Sequence, residues 1–216
     1  MTAARQAGRL VRHAIVFEIN IYKSLLRWLL RRPSVPPGST PVGYARMVTP
    51  VLALWIFGSA VEIPVVHLLV PWDALRWPLL AIGVWGLMWM VGFLAGLRSY
   101  PHLLSDDVLR IRNGPMHDIP VPLAEIAQVT SRERSLPSSM WVLQPETSEQ
   151  GVHLNVTVSG QVNVHIALRQ PLTVATRKGS MTINALSFWA DEPRQLTAHL
   201  NESRTTRPVR PRRTTG

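Results

Sequence analysis

The stretch MVTPVLALWIFGSAVEIPVVHLLVPWDALRWPLLAIGVWGLMWMVGFLAGL, residues 47–97, decides the fold. It contains two apolar segments, 48–70 and 77–97, parted by the polar break 71–76. Each reaches about 20 residues, the length at which a helix crosses the hydrocarbon core of a bilayer. Between Arg46 and Arg98 the charged residues are Glu62, Asp73 and Arg76 alone. The reading is a transmembrane helical hairpin from which the rest of the chain hangs.

The chain has 216 residues, a net charge of +10 and no cysteine. Without cysteine there is neither a disulfide framework nor a thiolate metal site. The charge sits in the flanks: residues 1–48 carry +7, 49–97 carry −1, 98–200 are neutral and 201–216 carry +4. Such a charge on one compact domain would suggest nucleic acid. A neutral domain with basic flanks points instead to anionic headgroups, and no nucleic-acid partner is expected. Arg27, Arg31, Arg32 and Arg46 precede the first span, whereas the break holds only Arg76, beside Asp73. Lys and Arg gather in short cytoplasmic segments, so both termini are expected in the cytoplasm with the break outside.

Residues 1–32 read as a basic amphipathic helix. Val11, Ile15, Ile19, Tyr22, Leu26 and Leu29 recur every three or four residues, opposite Arg5, Arg9, Arg12, Lys23, Arg27 and Arg31. Glu18, Lys23 and Arg27 interrupt any signal-peptide core. Such a helix lies flat among headgroups, or packs on the chain's own domain or on a second copy. Residues 33–46 read as a linker without helix or strand, broken by Pro33, Pro36, Pro37, Gly38, Pro41 and Gly43.

Three features of the spans are candidate sites. Glu62 lies near mid-span and His67 nearer the outer end, about 140° apart around the helix axis; they mark a proton- or ion-responsive intramembrane polar site, or Glu62 is protonated and hydrogen-bonds across a helix–helix contact. Pro64 between them is expected to loosen the helix. Gly92 and Gly96 have the small-xxx-small spacing of closely packed helices, serving either the hairpin or a homo-oligomer.

After Arg98 the apolar period changes to two. The alternating run 108–112 precedes Asn113-Gly114, a hairpin signal, and the alternation resumes over 119–123 and at Ile126 and Val129. Runs 152–158 and 162–168 alternate cleanly and are expected to pair with each other. A two-residue loop at Ser159-Gly160 would set Val156 against Asn163, so a three-residue loop is expected. Strands at 173–176 and 181–188 follow, joined at Lys178-Gly179. Asp191 then caps a helix over 192–200, and residues 201–216 read as a disordered basic tail.

The order strand, Asn113-Gly114 turn, Ile119-Pro120…Leu123…Ile126…Val129, and the closing helix after Asp191-Glu192-Pro193 resembles bacterial pleckstrin-homology-like domains. The resemblance covers about residues 99–200. It implies an antiparallel β barrel or sandwich with a C-terminal helix, set behind two membrane helices, and no catalytic residues. It also draws attention to Arg110 and Arg112, with Arg177 and Lys178, as contacts for an anionic lipid or ligand.

No metalloprotease, phosphate-loop, nucleophile-elbow or dinucleotide motif occurs. His153 and His165 are expected on the outer face of paired strands, without a third metal ligand. The fold expectation is membrane α+β. The functional expectation is a non-enzymatic scaffold or regulatory module at the inner face of the plasma membrane. It would work without cofactor, through a protein partner or a second copy. Two alternatives stand beside it: a lipid or peptide sensor, and an oligomeric channel or transporter subunit built around Glu62.

Overall fold

A computed structural model describes residues 2–137, 139, 141–176 and 179–206. The chain forms two units. One is helical and holds residues up to 34, 45–100 and 114–116; the other holds 35–44, 101–113 and 117 onward.

The helical unit contains α1 (Thr2–Leu29), α2 (Thr49–Leu69) and α3 (Asp73–Ser99). α1 ends in a left-handed turn. Arg31 has φ 52°, its N–H reaches the Trp28 carbonyl, and the Arg32 N–H reaches that of Arg27. Pro33 bars further helix. Pro50 sits in the first turn of α2, where no N–H is needed. α2 runs through Pro64 and stops before Pro71. Asp73 opens α3 beside the exposed backbone donors and pairs with Arg76 one turn on.

α2 and α3 are long and apolar enough to cross a membrane. They run antiparallel, with Ile63 against Gly83, the Ser59 hydroxyl near the Met90 sulfur, and the His67 ring edge-on to Trp77. α1 packs along α3. The pairs Phe17–Trp89, Ile21–Gly92, Ser24–Gly96 and Arg27–Tyr100 rise together, so these two helices run parallel.

The β unit contains β1 (Thr40–Val42), β2 (His102–Leu104), β3 (Val108–Asn113), β4 (His117–Pro122), β5 (Ile126–Ser135), β6 (Leu143–Ser148), β7 (Gly151–Val156), β8 (Gln161–Thr176) and β9 (Gly179–Phe188). It closes with α4 (Pro193–Thr206). One sheet is an antiparallel meander, β1-β2-β3-β4. The other has the order β5-β8-β9-β7-β6 and is mixed, because β7 and β9 are parallel. Leu109, Ile111, Ile119 and Val121 of the first sheet share one core with Leu154, Val164, Ile166, Ile183, Leu186 and Phe188 of the second and with Leu196 and Leu200 of α4. The strands do not close into a barrel, and the purely antiparallel arrangement expected is replaced by two sheets, one of them mixed.

Three local expectations are corrected. β7 and β8 do not pair, because β9 lies between them. The two-residue turn Ser159-Gly160 does form, with φ 51° and 74° and a single bridge from Val158 to Gln161. That turn would set Val156 against Asn163. The strands part instead, and Phe188 of β9 faces both Val156 and Val164. Next, the 33–46 linker contains β1, which pairs with β2 despite Pro41 because an edge position needs fewer ladder donors. Finally, α4 continues to Thr206, into the segment expected to be disordered; residues 207–216 lie outside the described residues.

The strap 35–44 is held firmly. The Asp191 N–H bonds to the Gly43 carbonyl at 2.8 Å, and a Cβ on Gly43 would stand 2.7 Å from the Asp191 carboxylate. Tyr44, 1% exposed, stacks on His102 at 4.6 Å. The His102 ring is buried, with Phe188 edge-on at 5.1 Å. Its Nε2–H donates to the Trp189 carbonyl at 2.9 Å, and its Nδ1 accepts the Arg112 N–H at 2.9 Å. That pairing fixes a neutral tautomer, and burial lowers the pKa from 6.5 to about 4.

An unfolded chain binds a proton at His102 below pH 6.5, whereas the folded chain refuses it down to about pH 4. The stability owed to the neutral ring is therefore complete above pH 6.5 and is lost as pH falls toward 4, by about 3 kcal/mol. Denaturant unfolding of the chain at the two pH values measures the loss. In the folded chain the His102 ring resonance should not titrate above about pH 4.5.

Candidate functional site

Glu62 is exposed on α2, one turn from the equally exposed Gly58, which has open space around it. It does not lie between α2 and α3. His67 does, where its ring meets Trp77, and its Nδ1 is buried without a hydrogen-bond partner. His67 thus lies at the loop end of the α2–α3 hairpin, while Glu62 is exposed on another side of α2.

Gly92 and Gly96 lie in a close helix contact, and the partner is α1. A Cβ at Gly92 would meet Ile21 Cγ2 at 2.5 Å; one at Gly96 would meet Ser24 Cβ at 3.6 Å. Ile21 and Ser24 are buried there, and the Ser24 hydroxyl returns its hydrogen bond to the Asn20 carbonyl at 2.6 Å. The hairpin mate α2 does not fill this face; α1 does.

Beside these glycines lies a cluster that the sequence does not single out. Glu18 Oε1 accepts the Tyr22 hydroxyl and the Trp85 indole N–H, each at 3.0 Å. The four-residue spacing of Glu18 and Tyr22 on one helix face is a legible pairing signal. The reach to Trp85 was not legible, because the sequence does not reveal that α1 packs on α3.

In the β unit, Arg110 and Arg112 converge on Asp118 across the β3–β4 hairpin. Arg110 grips that carboxylate with two bonds, 3.1 and 2.6 Å, and Arg112 Nε stands 3.6 Å from it. Asp118 raises the pKa of the Arg110 guanidinium. Arg112 is mostly buried, and Asp118 offsets the charge that the pair would offer to an anion, the role the resemblance implies for it. Arg177 and Lys178 lie outside the described residues.

His153 and His165 are brought together, though not as neighbours on paired strands. Ser187 of β9 stands between them, 2.5 Å from His153 Nε2 and 2.6 Å from His165 Nδ1. His165 Nε2 lies 2.7 Å from the Arg132 carbonyl, which can only accept, so that nitrogen carries a proton. In the neutral state Ser187 then donates to His165 Nδ1 and accepts from His153 Nε2–H. Burial lowers the pKa of His153. Ser187 is wholly buried, so its hydroxyl is not placed to meet a substrate. Among the described residues no three His, Cys, Asp or Glu side chains gather as a metal site. The Arg134–Glu146 pair at 2.9 Å links the edge strands β5 and β6.

The chain matches no family model, no curated protein and no solved structure. The geometry alone therefore carries the functional reading.

Gly92→Leu should drive α1 off α3, since the new side chain needs the space of Ile21. Overpacking of this kind costs about 1–3 kcal/mol. Trypsin cleavage after Lys23 and Arg27 in the detergent-solubilised chain should accelerate about tenfold. An unchanged rate would show that the glycine face is not filled by α1.

Proposed function

We propose that the chain is a non-enzymatic integral membrane protein of the bacterial plasma membrane. In this reading its helices anchor the β unit, a pleckstrin-homology-like scaffold or regulatory module, at the inner face. One observation carries the reading: α2, 21 residues long, buries none of them, although it is apolar around its whole circumference. Leu54, Trp55, Phe57, Leu68 and Leu69 are each at least 66% exposed. Leaving such side chains in water forgoes about 1.5–3 kcal/mol apiece. Five of them equal the whole stability of an ordinary domain, about 5–15 kcal/mol. Lipid removes that cost.

The surface of the β unit favours a protein contact over a lipid sensor. Arg110 and Arg112 are engaged with Asp118. Pro120 and Pro122 on edge strand β4 and Pro145 on edge strand β6 make poor templates for an added strand, so a partner would meet side chains. Exposed Glu62 favours a second reading, an oligomer in which neighbouring helices cover that carboxyl.

Alkaline carbonate extraction tests the anchoring: the chain should stay with the membrane pellet, and release into the supernatant would end the proposal. In membranes, Glu62→Gln should leave a monomeric anchor unchanged. It should alter the crosslinked oligomer ladder under the second reading.

A further inference from the structure

If α2 and α3 are solvated by lipid, the position of α1 has a consequence for the lipid-contacting surface. Residues 17, 21, 24 and 27 of α1 lie beside residues 89, 92, 96 and 100 of α3. Each α1 residue therefore stands level with an α3 residue 71–73 positions later. The apolar run of α3 extends over 77–97. On that scale Glu18 is level with residue 90, within the bilayer, and Thr2 with residue 74, beyond the outer end of the run.

We infer that α1 is a third membrane-embedded helix, parallel to α3, whose face bearing Ile15 and Ile19 is solvated by acyl chains and whose Thr2 end emerges on the side of the bilayer opposite the C-terminal end of α3. A headgroup-plane helix would lie across α3; this one lies along it. Three observations agree. Ile15 and Ile19 are 54% and 46% exposed, so the described residues leave that side of α1 largely open. The acidic residue in the embedded part, Glu18, is held by two donors, Tyr22 and Trp85, which is how a carboxyl is accommodated at depth. Between Arg12 and Lys23 there is no basic residue over about 16 Å of helix, and both side chains have stems long enough to snorkel toward opposite faces. On the same scale Arg5, Arg9 and Arg12 are level with residues 77, 81 and 84, in the outer part of the run; even counted on the far side they are outnumbered by Arg27, Arg31, Arg32, Arg46 and Arg98, which set the C-terminal end of α3 inside, Arg76 being offset by Asp73.

The inference rests on the membrane reading, and the absence of native cysteine makes both testable in one preparation. The first variant is Ser24→Cys with Gly96→Cys. A Cβ at position 96 would stand 3.6 Å from that of residue 24, within disulfide range. Oxidation of native membranes should join the tryptic fragments carrying residues 24 and 96 within one chain. The second pair is Thr2→Cys and, separately, Glu149→Cys, an exposed turn position of the β unit. A membrane-impermeant maleimide applied to right-side-out vesicles should label Thr2→Cys before permeabilisation and Glu149→Cys only after it. Labelling of both from the same face, or no intrachain disulfide, would overturn the inference while carbonate-resistant pelleting left the anchor reading standing. Release by carbonate would overturn both.

Discussion

An apolar helix of which the described residues bury no side chain is the constraint on which the rest depends. α2 touches α3 along one line, through Ile63 and Gly83, and offers every other face to its surroundings. A soluble fold would wrap such a helix. Here the neighbouring elements are arranged otherwise: α1 takes the far side of α3, where Gly92 and Gly96 let the backbones close to contact distance. Because water is excluded from the proposed surroundings, close packing and interhelical hydrogen bonds hold helices there more than hydrophobic burial does. The Ile21–Gly92 contact and the Glu18–Trp85 bond are of those two kinds.

The β unit solves a different problem, how to close a core from discontinuous pieces. The strap 35–44 and strands that start at His102 come from either side of the helical hairpin in sequence. One neutral imidazole ties them. His102 stacks on Tyr44 of the strap, accepts from β3 through Arg112 N–H and donates to the carbonyl that follows β9. A charged ring there would lose its acceptor role toward Arg112 N–H and would be buried without a counter-ion. The polar chain His153–Ser187–His165 does comparable work on the other face of the second sheet, joining β7, β9 and β8 where no ladder bond connects β7 to β8.

What was legible in the sequence was what local chemistry decides. Apolar runs of spanning length gave α2 and α3, Asn113-Gly114 gave the β3–β4 hairpin, and Asp191 followed by Pro193 marked the start of α4. What was not legible required a partner distant in sequence. Alternation in 152–158 and 162–168 reads equally well whether the strands pair with each other or with β9, and only the insertion of Phe188 between them settles it. The glycine spacing at 92 and 96 announces a close contact without naming the helix that makes it. Arg110 and Arg112 read as free cations because Asp118 becomes their neighbour only when the hairpin folds. Proline density hid β1, which is three residues long and survives on pairing with β2 and on the Tyr44 anchor.

The most direct test of the central claim is the environment of mid-α2. A nitroxide attached at Phe57→Cys in the otherwise cysteine-free chain, reconstituted into phosphatidylglycerol-containing liposomes, reports collision with oxygen and with a water-soluble nickel chelate. A lipid-solvated α2 predicts high oxygen and low nickel accessibility, the signature of acyl chains around a residue that is 67% exposed in the isolated chain. Ready collision with nickel would place α2 in water and contradict the claim.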